Sequence, residues 1–497
     1  MKNRFERRKK LYKKTSEKSQ ILEKRNVTLK QIRKSKKDRN LLKRRIEMIS
    51  ESSKGEEYLT VPPDMIAKDL ASDNIDLIKK ALRHMKFTIS QNPESFYDFQ
   101  KFDIIKTLLI LIDSEDLEVK LEIALILLHV SSGTYKLKQT ILDFGSYLVS
   151  FLNSKDSKLQ EISLIIVANL SGDCLNFRNS LVENGILEIL IALLEPNISF
   201  DLCCSSAFAI SNLLKGEDPP LSQIVELNIF DKLDIFFQIE KESEIHYHAL
   251  WILSYLTSVD EYFKVIIDSN LMDKILLFFK STLIDLRIPA IRIIVNFLYS
   301  SDTKYYDYII NENLERTLFI FTGIIDVLNA KEDKLIKEIC WLCSAIFNSH
   351  EEQILEIIEL FEKKCETNIL EQLSKIIINA HYDLKREAAI ALMNAWEWDS
   401  VFIHFISCYK NLKNFLLGFF SLLNSSDPDI AHMIMDFIEL LLNCFPKLAV
   451  LVENCDGISM LEKLRNHPNK SLFQRADDII DEFFSENYDP EFGDEEY

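Results

Sequence analysis

The sequence predicts an all-α protein: a long array of stacked helical repeats preceded by a basic arm. Three observations carry that expectation. Of 497 residues only 10 are Gly and 11 are Pro, about 4% together where an average chain carries roughly 12%. So few turn formers argue against sandwiches, barrels and propellers, which turn every 8–12 residues or so, and against glycine-rich phosphate loops. Next, 47% of the residues are apolar and 27% charged, enough to bury a large core. Finally, from about residue 72 to 484 one apolar helical stretch follows another, separated by short polar punctuation.

Those stretches resemble one another. KLEIALILLHVSSG, QEISLIIVANLSGD, SSAFAISNLLKGED, YHALWILSYLTSVD, PAIRIIVNFLYSSD, KEICWLCSAIFNSH and KREAAIALMNAWEW each read as a helix with small or apolar residues facing a core. Most carry a bulky residue at one fixed position. Aligned, that position falls at Leu125, Ile165, Phe208, Trp251, Arg292, Trp341 and Ile390, in steps of 40, 43, 43, 41, 49 and 49 residues. Met85 lies 40 residues before the first and Asp436 lies 46 after the last. The spacing is close to the armadillo/HEAT period of roughly 40–47 residues, and about nine or ten repeats are expected. Gly133, Gly172 and Gly216 stand where C-terminal glycine caps belong. Because each repeat stacks only on its neighbours, the expected product is a superhelix with one long concave surface.

Four places after each bulky position stand His129, Asn169, Asn212, Tyr255, Asn296, Ala345 and Asn394. An i, i+4 pair shares one helical face, so stacking builds a ladder of bulky side chains beside a row of mostly carboxamides. A carboxamide offers donor and acceptor, and a row of Asn suits both backbone groups of an extended peptide. Flanking aromatic faces would form slots for the stems and cationic heads of Lys and Arg. A helix-borne Asn also serves to satisfy a neighbouring repeat, and the Trp and Phe positions taken alone are common core positions. Four Asn at one register on an acidic body favour the peptide ladder.

Charge is unevenly placed. Residues 1–50 hold 20 Lys/Arg against 5 Asp/Glu, a net of +15; the remainder holds 39 against 72, a net of −33. An acidic body repels nucleic acid and attracts basic ligands, its own N-terminus included. Gly55, Pro62 and Pro63 interrupt any helix, so residues 51–71 read as a flexible linker. Residues 485–497 read as an acidic, disordered tail. No apolar run reaches the 18 or so residues of a membrane span, and no apolar h-region marks a secretory signal. The nine cysteines are scattered through apolar segments, as expected of reduced thiols in cytosol or nucleus. Cys340 and Cys343 form the sole CxxC; without a second pair they read as core-facing thiols. Cys203 and Cys204 are adjacent and poorly placed to bridge, and His246 and His248 lie on different sides of a helix, which disfavours a metal.

At this point the residues match a family. WILSYLTSVD, PAIRIIVN, KEICW, KREAAIALMNA and SNLLKGEDPP each resemble third-helix segments of importin alpha (karyopherin alpha), the armadillo adaptor for classical nuclear localisation signals. The likeness covers nearly the whole chain. Arg292 at a Trp position, with Tyr255 at the preceding repeat's Asn position, is similar to a mid-array irregularity of that family. Residues 22–46 resemble its importin-beta-binding helix, and ENCDGISMLEKL with ADDIIDEFF followed by acid resembles its last repeat and tail.

The resemblance implies a nuclear import adaptor without cofactor or catalytic activity, shuttling between cytoplasm and nucleus. Residues 1–50 would bind importin beta, with Arg33, Lys34, Lys36 and Lys37 near the centre of a helix that folds on binding. Lys43, Arg44 and Arg45 would lie in the protein's own groove until importin beta withdraws them, a tethered competitor at roughly millimolar effective concentration. The family's major signal-binding site corresponds to Leu125/His129, Ile165/Asn169 and Phe208/Asn212, with Asp173 pairing the signal's key lysine and Trp251 beyond it. The minor site corresponds to Trp341/Ala345 and Ile390/Asn394, with Glu338 and Glu387 as edge carboxylates and Tyr255, Arg292 and Asn296 nearby. A recycling exportin with Ran would contact the C-terminal repeats. This chain departs from the pattern, for all three major-site tryptophans are replaced and one Asn is His. Each lost cation–π contact is worth roughly 0.5–2 kcal/mol, so weaker or altered recognition of short basic signals is expected.

Two other classes compete. Another armadillo or HEAT scaffold would hold a different basic or helical partner and use its first 50 residues on nucleic acid or membrane. Against a nucleic-acid arm, the segment carries Leu22, Val27, Leu29, Ile32, Leu41 and Leu42 at helical intervals and few aromatics to stack bases. An enzyme would need a phosphate loop, metal cluster, nucleophile motif or acid/base pair in register, and none stands out.

Overall fold

The computed structural model describes residues 61–172, 175–195, 197–239, 244–330, 332–424, 427–465 and 469–484. The basic arm with Arg33, Lys34, Lys36, Lys37, Lys43, Arg44 and Arg45, most of the linker, Asp173 and the acidic tail lie outside these residues. Every regular element among the described residues is helical, as an armadillo-repeat fold requires. The chain divides into two compact units between Lys274 and Ile275.

The first unit begins with α1 (Pro63–Leu70), which corrects the linker boundary. Pro63 does not break this helix; it opens it, since its fixed φ and missing N–H are tolerated in the first turn. Ile66 and Leu70 anchor the helix by burial. The innermost helices follow: α2 (Ile75–Gln91), α3 (Leu117–Ser131), α4 (Ser157–Ser171), α5 (Phe200–Leu213) and α6 (Glu244–Leu256). From Ile123 to Ser131 every side chain of α3 is buried, and so is every one from Ile162 to Ser171 in α4. A helix apolar on all sides must be covered on all sides. Shorter helices do part of that, such as Leu175–Glu183 and Ile186–Ala192 before α5, and successive inner helices do the rest. Side-chain caps start the inner helices: Asp116 accepts from Glu118 N at 2.9 Å, and Asp156 from Leu159 N at 2.8 Å.

Of the three glycines expected as caps, Gly172 is the C-cap residue of α4 but right-handed, and Gly216 is left-handed but stands two residues beyond the C-cap Leu214 of α5. Gly216 adopts a left-handed φ of +98°, whereas Gly172 ends α4 at φ −70° and Gly133 has no positive φ. Long side chains do the capping instead. Arg178, buried in the helix Leu175–Glu183, donates from Nη1 to the Lys215 carbonyl at 3.1 Å. Its Nη2 reaches the Glu217 and Asp218 carbonyls at 2.6 and 2.8 Å, so one guanidinium holds the chain leaving α5. Lys138 reaches the Asn169 carbonyl near the end of α4 at 3.4 Å.

The second unit stacks α7 (Ile284–Leu298), α8 (Asp333–Ile346), α9 (Tyr382–Ala395), α10 (Pro428–Cys444) and α11 (Lys470–Phe483). The same capping recurs, with the Tyr306 hydroxyl donating to the Ile346 carbonyl at the end of α8 at 2.7 Å. The two 49-residue steps are absorbed by long flanking helices, Leu314–Ala330 and Glu351–Cys365. All seven bulky positions from Leu125 to Ile390 fall five or six residues before the end of their helices, so the repeats share one register. Trp396 centres the core, with Phe402, Phe405, Phe415 and Phe437 all within 6 Å of its ring centroid. Cys340 and Cys343 are buried and unbridged, and burial pushes the Cys343 thiol up to about 12. Burial thus holds both thiols in the protonated form at neutral pH.

Gly418, in the helix Leu412–Phe420, lies so close to α9's flanking helix that a Cβ there would stand 2.5 Å from the Ile377 carbonyl oxygen. Backbone cannot yield as a side-chain tip can. Gly418→Ala should therefore force the helices Ile369–Asn379 and Leu412–Phe420 apart and cost about 1–3 kcal/mol, read as a lower midpoint in urea unfolding.

Candidate functional site

In the first unit α3, α4, α5 and α6 pack in sequence. Their shared register brings His129, Asn169, Asn212 and Tyr255 to equivalent places, and all four are nearly buried. The bulky row is less open than expected. Ile165 is wholly core, and Trp251 is 2% exposed, enclosed by Tyr247 and Tyr255 with ring centroids 6.2 and 6.0 Å away. Neither offers a slot wall, which corrects their assignment to a ligand-facing row. Leu125 is also buried. Phe208 is half-buried, its ring 5.2 Å from that of His248.

The carboxamides partly serve the array itself. Asn169 Nδ2 donates to Ser131 Oγ on the preceding inner helix at 3.0 Å. That bond engages one of the two Nδ2 hydrogens; the amide's second hydrogen and its side-chain oxygen keep the donor and acceptor pair of a rung. Asn212 lies against Gly172, where an added Cβ would sit 3.5 Å from its carboxamide. His129 is the departure from the Asn row, yet it behaves as a neutral rung. Burial, assisted by the Lys86 charge, lowers its pKa from 6.5 to about 4. At neutral pH its imidazole offers one donor and one acceptor, as a carboxamide does. Acidic groups beside this first rung already have partners: Glu122 pairs with Lys86 at 2.8 Å, and Asp116 and Glu118 pair with Lys79 at 2.7 and 2.9 Å.

The second unit carries the other residues of the sequence reading, and it brings them together differently. Arg292 of α7 and Glu338 of α8 form a two-pronged ion pair, Nε to Oε2 at 2.9 Å and Nη2 to Oε1 at 2.5 Å. They are 3% and 2% exposed. The guanidinium carbon is also 5.6 Å from the centre of the Trp341 ring, and Lys337 Nζ is 5.7 Å from it. Trp341 Nε1 donates to Glu387 Oε2 at 2.5 Å, while Arg386 takes Glu387 Oε1 at 2.7 Å. Glu338 and Glu387 are thus not waiting edge carboxylates; both have internal partners. Asn296 is buried on α7, Ala345 is core, and Ile390 is half-buried. Asn394 Nδ2 donates to Ser344 Oγ at 2.7 Å and to the Ser344 carbonyl at 3.2 Å, again turning its donor to the preceding repeat. The aligned Asp436 pairs with Arg475 of α11, which also reaches Glu439 at 3.2 Å.

Sequence reasoning missed this pairing, although a signal existed. Arg292 and Glu338 are 46 residues apart, as are Trp341 and Glu387, which is the 49-residue step of this part of the array less the three residues between each glutamate and the bulky position of its own helix. Among the described residues no group of His, Cys, Asp or Glu is placed to hold a metal, and no helix is long and apolar enough to cross a membrane.

Comparison with known proteins agrees with this architecture. Residues 446–496 match the family described as the atypical Arm repeat. The chain is 26% identical over 333 residues to importin subunit alpha-2 of Oryza sativa subsp. japonica, a match covering 64% of this chain and 60% of the relative. It is 26% identical over 392 residues to importin subunit alpha-9 of Arabidopsis thaliana, covering 75% and 72% of the two chains. Importin subunit alpha-3 of the same plant is 22% identical over 518 residues, covering 95% and 91%. In three dimensions the chain is similar to the crystal structure of an engineered protein, with a TM-score of 0.66 at 19% identity over 86% of this chain and 99% of that one.

The His129 environment makes a pH prediction. Its folded pKa is depressed, so the unfolded chain binds the proton first as pH falls. The stability it contributes is complete above about pH 6.5 and is lost progressively toward pH 4. A shift of this size is worth about 3 kcal/mol. Between pH 7 and 4 the wild type should lose about that much more stability than His129→Asn in paired urea titrations; equal losses would refute the assignment.

Proposed function

We propose that this chain, a divergent importin-alpha-like protein built from armadillo repeats, is a nuclear import adaptor that binds basic peptide signals on its first unit. The observation that carries this reading is the run of neutral polar rungs, His129, Asn169 and Asn212, at one register on three consecutive inner helices. Such a run can meet an extended backbone at regular intervals, and the net −33 of residues 51–497 draws in a cationic chain by long-range attraction. The half-buried Phe208 supplies apolar surface for lysine stems. With Ile165 and Trp251 in the core, the cation–π share of the binding is small, and recognition leans on backbone contacts and on Asp173, the carboxylate that the family resemblance pairs with the signal's key lysine.

In this reading residues 1–50 form the importin-beta-binding segment, with Arg33, Lys34, Lys36 and Lys37 central. Importin beta presents an acidic inner surface, and a +15 segment associates with it rapidly. Lys43, Arg44 and Arg45 compete with cargo for the first unit's face until importin beta binds the segment. That is a shift of population by a competing ligand, with no chemical step. The protein then cycles between cytoplasm and nucleus, and its C-terminal repeats meet the recycling exportin with Ran. It acts as an adaptor, not an enzyme.

The test compares the full chain with a form lacking residues 1–62, each with a labelled lysine-rich signal peptide and with or without importin beta. Deletion, or addition of importin beta to the full chain, should tighten peptide binding at least tenfold. Asn212→Ala in the deleted form should weaken it about fivefold or more, the loss of one to two hydrogen bonds. A deleted form that takes up no basic peptide would leave the scaffold reading in its place.

A further inference from the structure

The polar row of the first unit has a definite beginning. Four places after Met85 on α2 stands Ile89, apolar and buried, so the first rung is His129 on α3. The side of α2 that meets α3 is cationic. Lys79, Arg83 and Lys86 follow one another at i, i+4 and i+7, one per turn of a single face. All three are engaged by α3 or its cap: Lys79 with Asp116 and Glu118 at 2.7 and 2.9 Å, Arg83 with Glu118, and Lys86 with Glu122 at 2.8 Å. The last pair is the most enclosed, its side chains 11% and 12% exposed. Glu122 precedes His129 by seven residues, about two turns of the same face, and the charge felt at the imidazole is that of Lys86.

We propose that Lys86 is a specificity-determining residue that excludes a cationic side chain from the peptide position lying over His129. The inference deepens the adaptor reading above, from which it takes its ligand class. A lysine placed there meets a like charge that is largely shielded from water and salt, where screening is weak. It also finds no counter-ion, since both carboxylates of α3 are taken, Glu118 by Lys79 and Arg83 and Glu122 by Lys86. Capturing Glu122 means displacing Lys86 from an enclosed pair, and a buried charge left without its partner is costly. A neutral side chain meets neither obstacle, and an acidic one gains the attraction of Lys86. Asn169 and Asn212 lie one and two repeats further on and keep their use for basic neighbours. The signal read by this chain is then a basic cluster that gives way to a neutral or acidic residue at the first rung.

The closing experiment uses the full chain with importin beta present to engage the N-terminal segment. It titrates a labelled lysine-rich signal peptide and a series in which each basic residue in turn is replaced by Glu. In the wild type, one position at an end of the bound stretch should favour Glu over Lys by about threefold or more, while the other basic positions lose affinity on the same change. Lys86→Met keeps the stem and frees Glu122. It should invert that one preference, Lys then exceeding Glu by about tenfold, with the ranking at the remaining positions unchanged. Lys86→Arg keeps the cation and should keep the wild-type ranking.

The double variant K86M/E122Q removes both charges without leaving either one buried alone, and it carries the test should K86M not fold. It should bind the Lys and Glu versions of the responsive peptide within about twofold of each other. A purely structural role for Lys86 would lower every affinity together and leave the ranking alone. A wild type that prefers Lys at every position, or a ranking that neither K86M nor the double variant changes, overturns the proposal and leaves the adaptor reading standing. Uptake of basic peptide by no form, wild type included, defeats the adaptor reading and this inference with it.

Discussion

The inner helices cannot cover themselves, and the rest of the architecture depends on that. Nine consecutive side chains of α3 and ten of α4 are buried, far more than the single stripe of an ordinary surface helix. Flanking helices shield one side, and the inner helices of adjacent repeats must shield the others. A repeat taken alone would leave this surface wet, so stability accrues between neighbours. Equal spacing and a shared register follow, because each helix must present the same shape to the next. The aligned row of polar heads is a by-product of that packing.

Closeness of this kind also sets repeat against repeat electrostatically. Side chains one repeat apart come within bonding distance, as with Lys86 and Glu122, Lys232 and Glu195, Lys274 and Asp234, and Arg292 and Glu338. Exposed members of this series contribute little stability, on the order of 0–1 kcal/mol each. Their larger effect is on what remains available. A body of net −33 need not be a uniformly attractive surface, for carboxylates such as Glu122, Glu195, Asp234 and Glu338 are engaged by cations of an adjacent repeat.

Much of this was legible in the residues. The period, the helix class and the common register of Leu125 through Ile390 could be read because burial imposes a repeating apolar pattern. The neutral rung at His129 was visible as a position, though its low pKa comes first from burial and then from the charge of Lys86, a residue of the preceding repeat. Partner choice was less readable. Glu338 and Glu387 were ligand carboxylates by family resemblance, and a resemblance carries over a position but not the partners its group finds in this chain. Trp251 looked like a slot wall because a ring at the right register is indistinguishable, in one dimension, from a ring enclosed by Tyr247 and Tyr255. Pro62 and Pro63 suggested a break, yet a proline in the first turn begins a helix as readily as it stops one. Capping by Arg178 left no local trace, since its acceptors lie 37 to 40 residues downstream.

The seating of α1 has a geometric consequence. With Ile66 and Leu70 buried, the point at which the preceding chain departs from the first unit is pinned. Only 16 residues lie between Arg45 and Pro62, so contour length bounds their separation at roughly 60 Å whatever route the backbone takes. The triplet Lys43-Arg44-Arg45 is thereby leashed to a sphere around the first repeat. Its local abundance there is a matter of tether length, and evolution could retune it by insertion or deletion without altering a single contact.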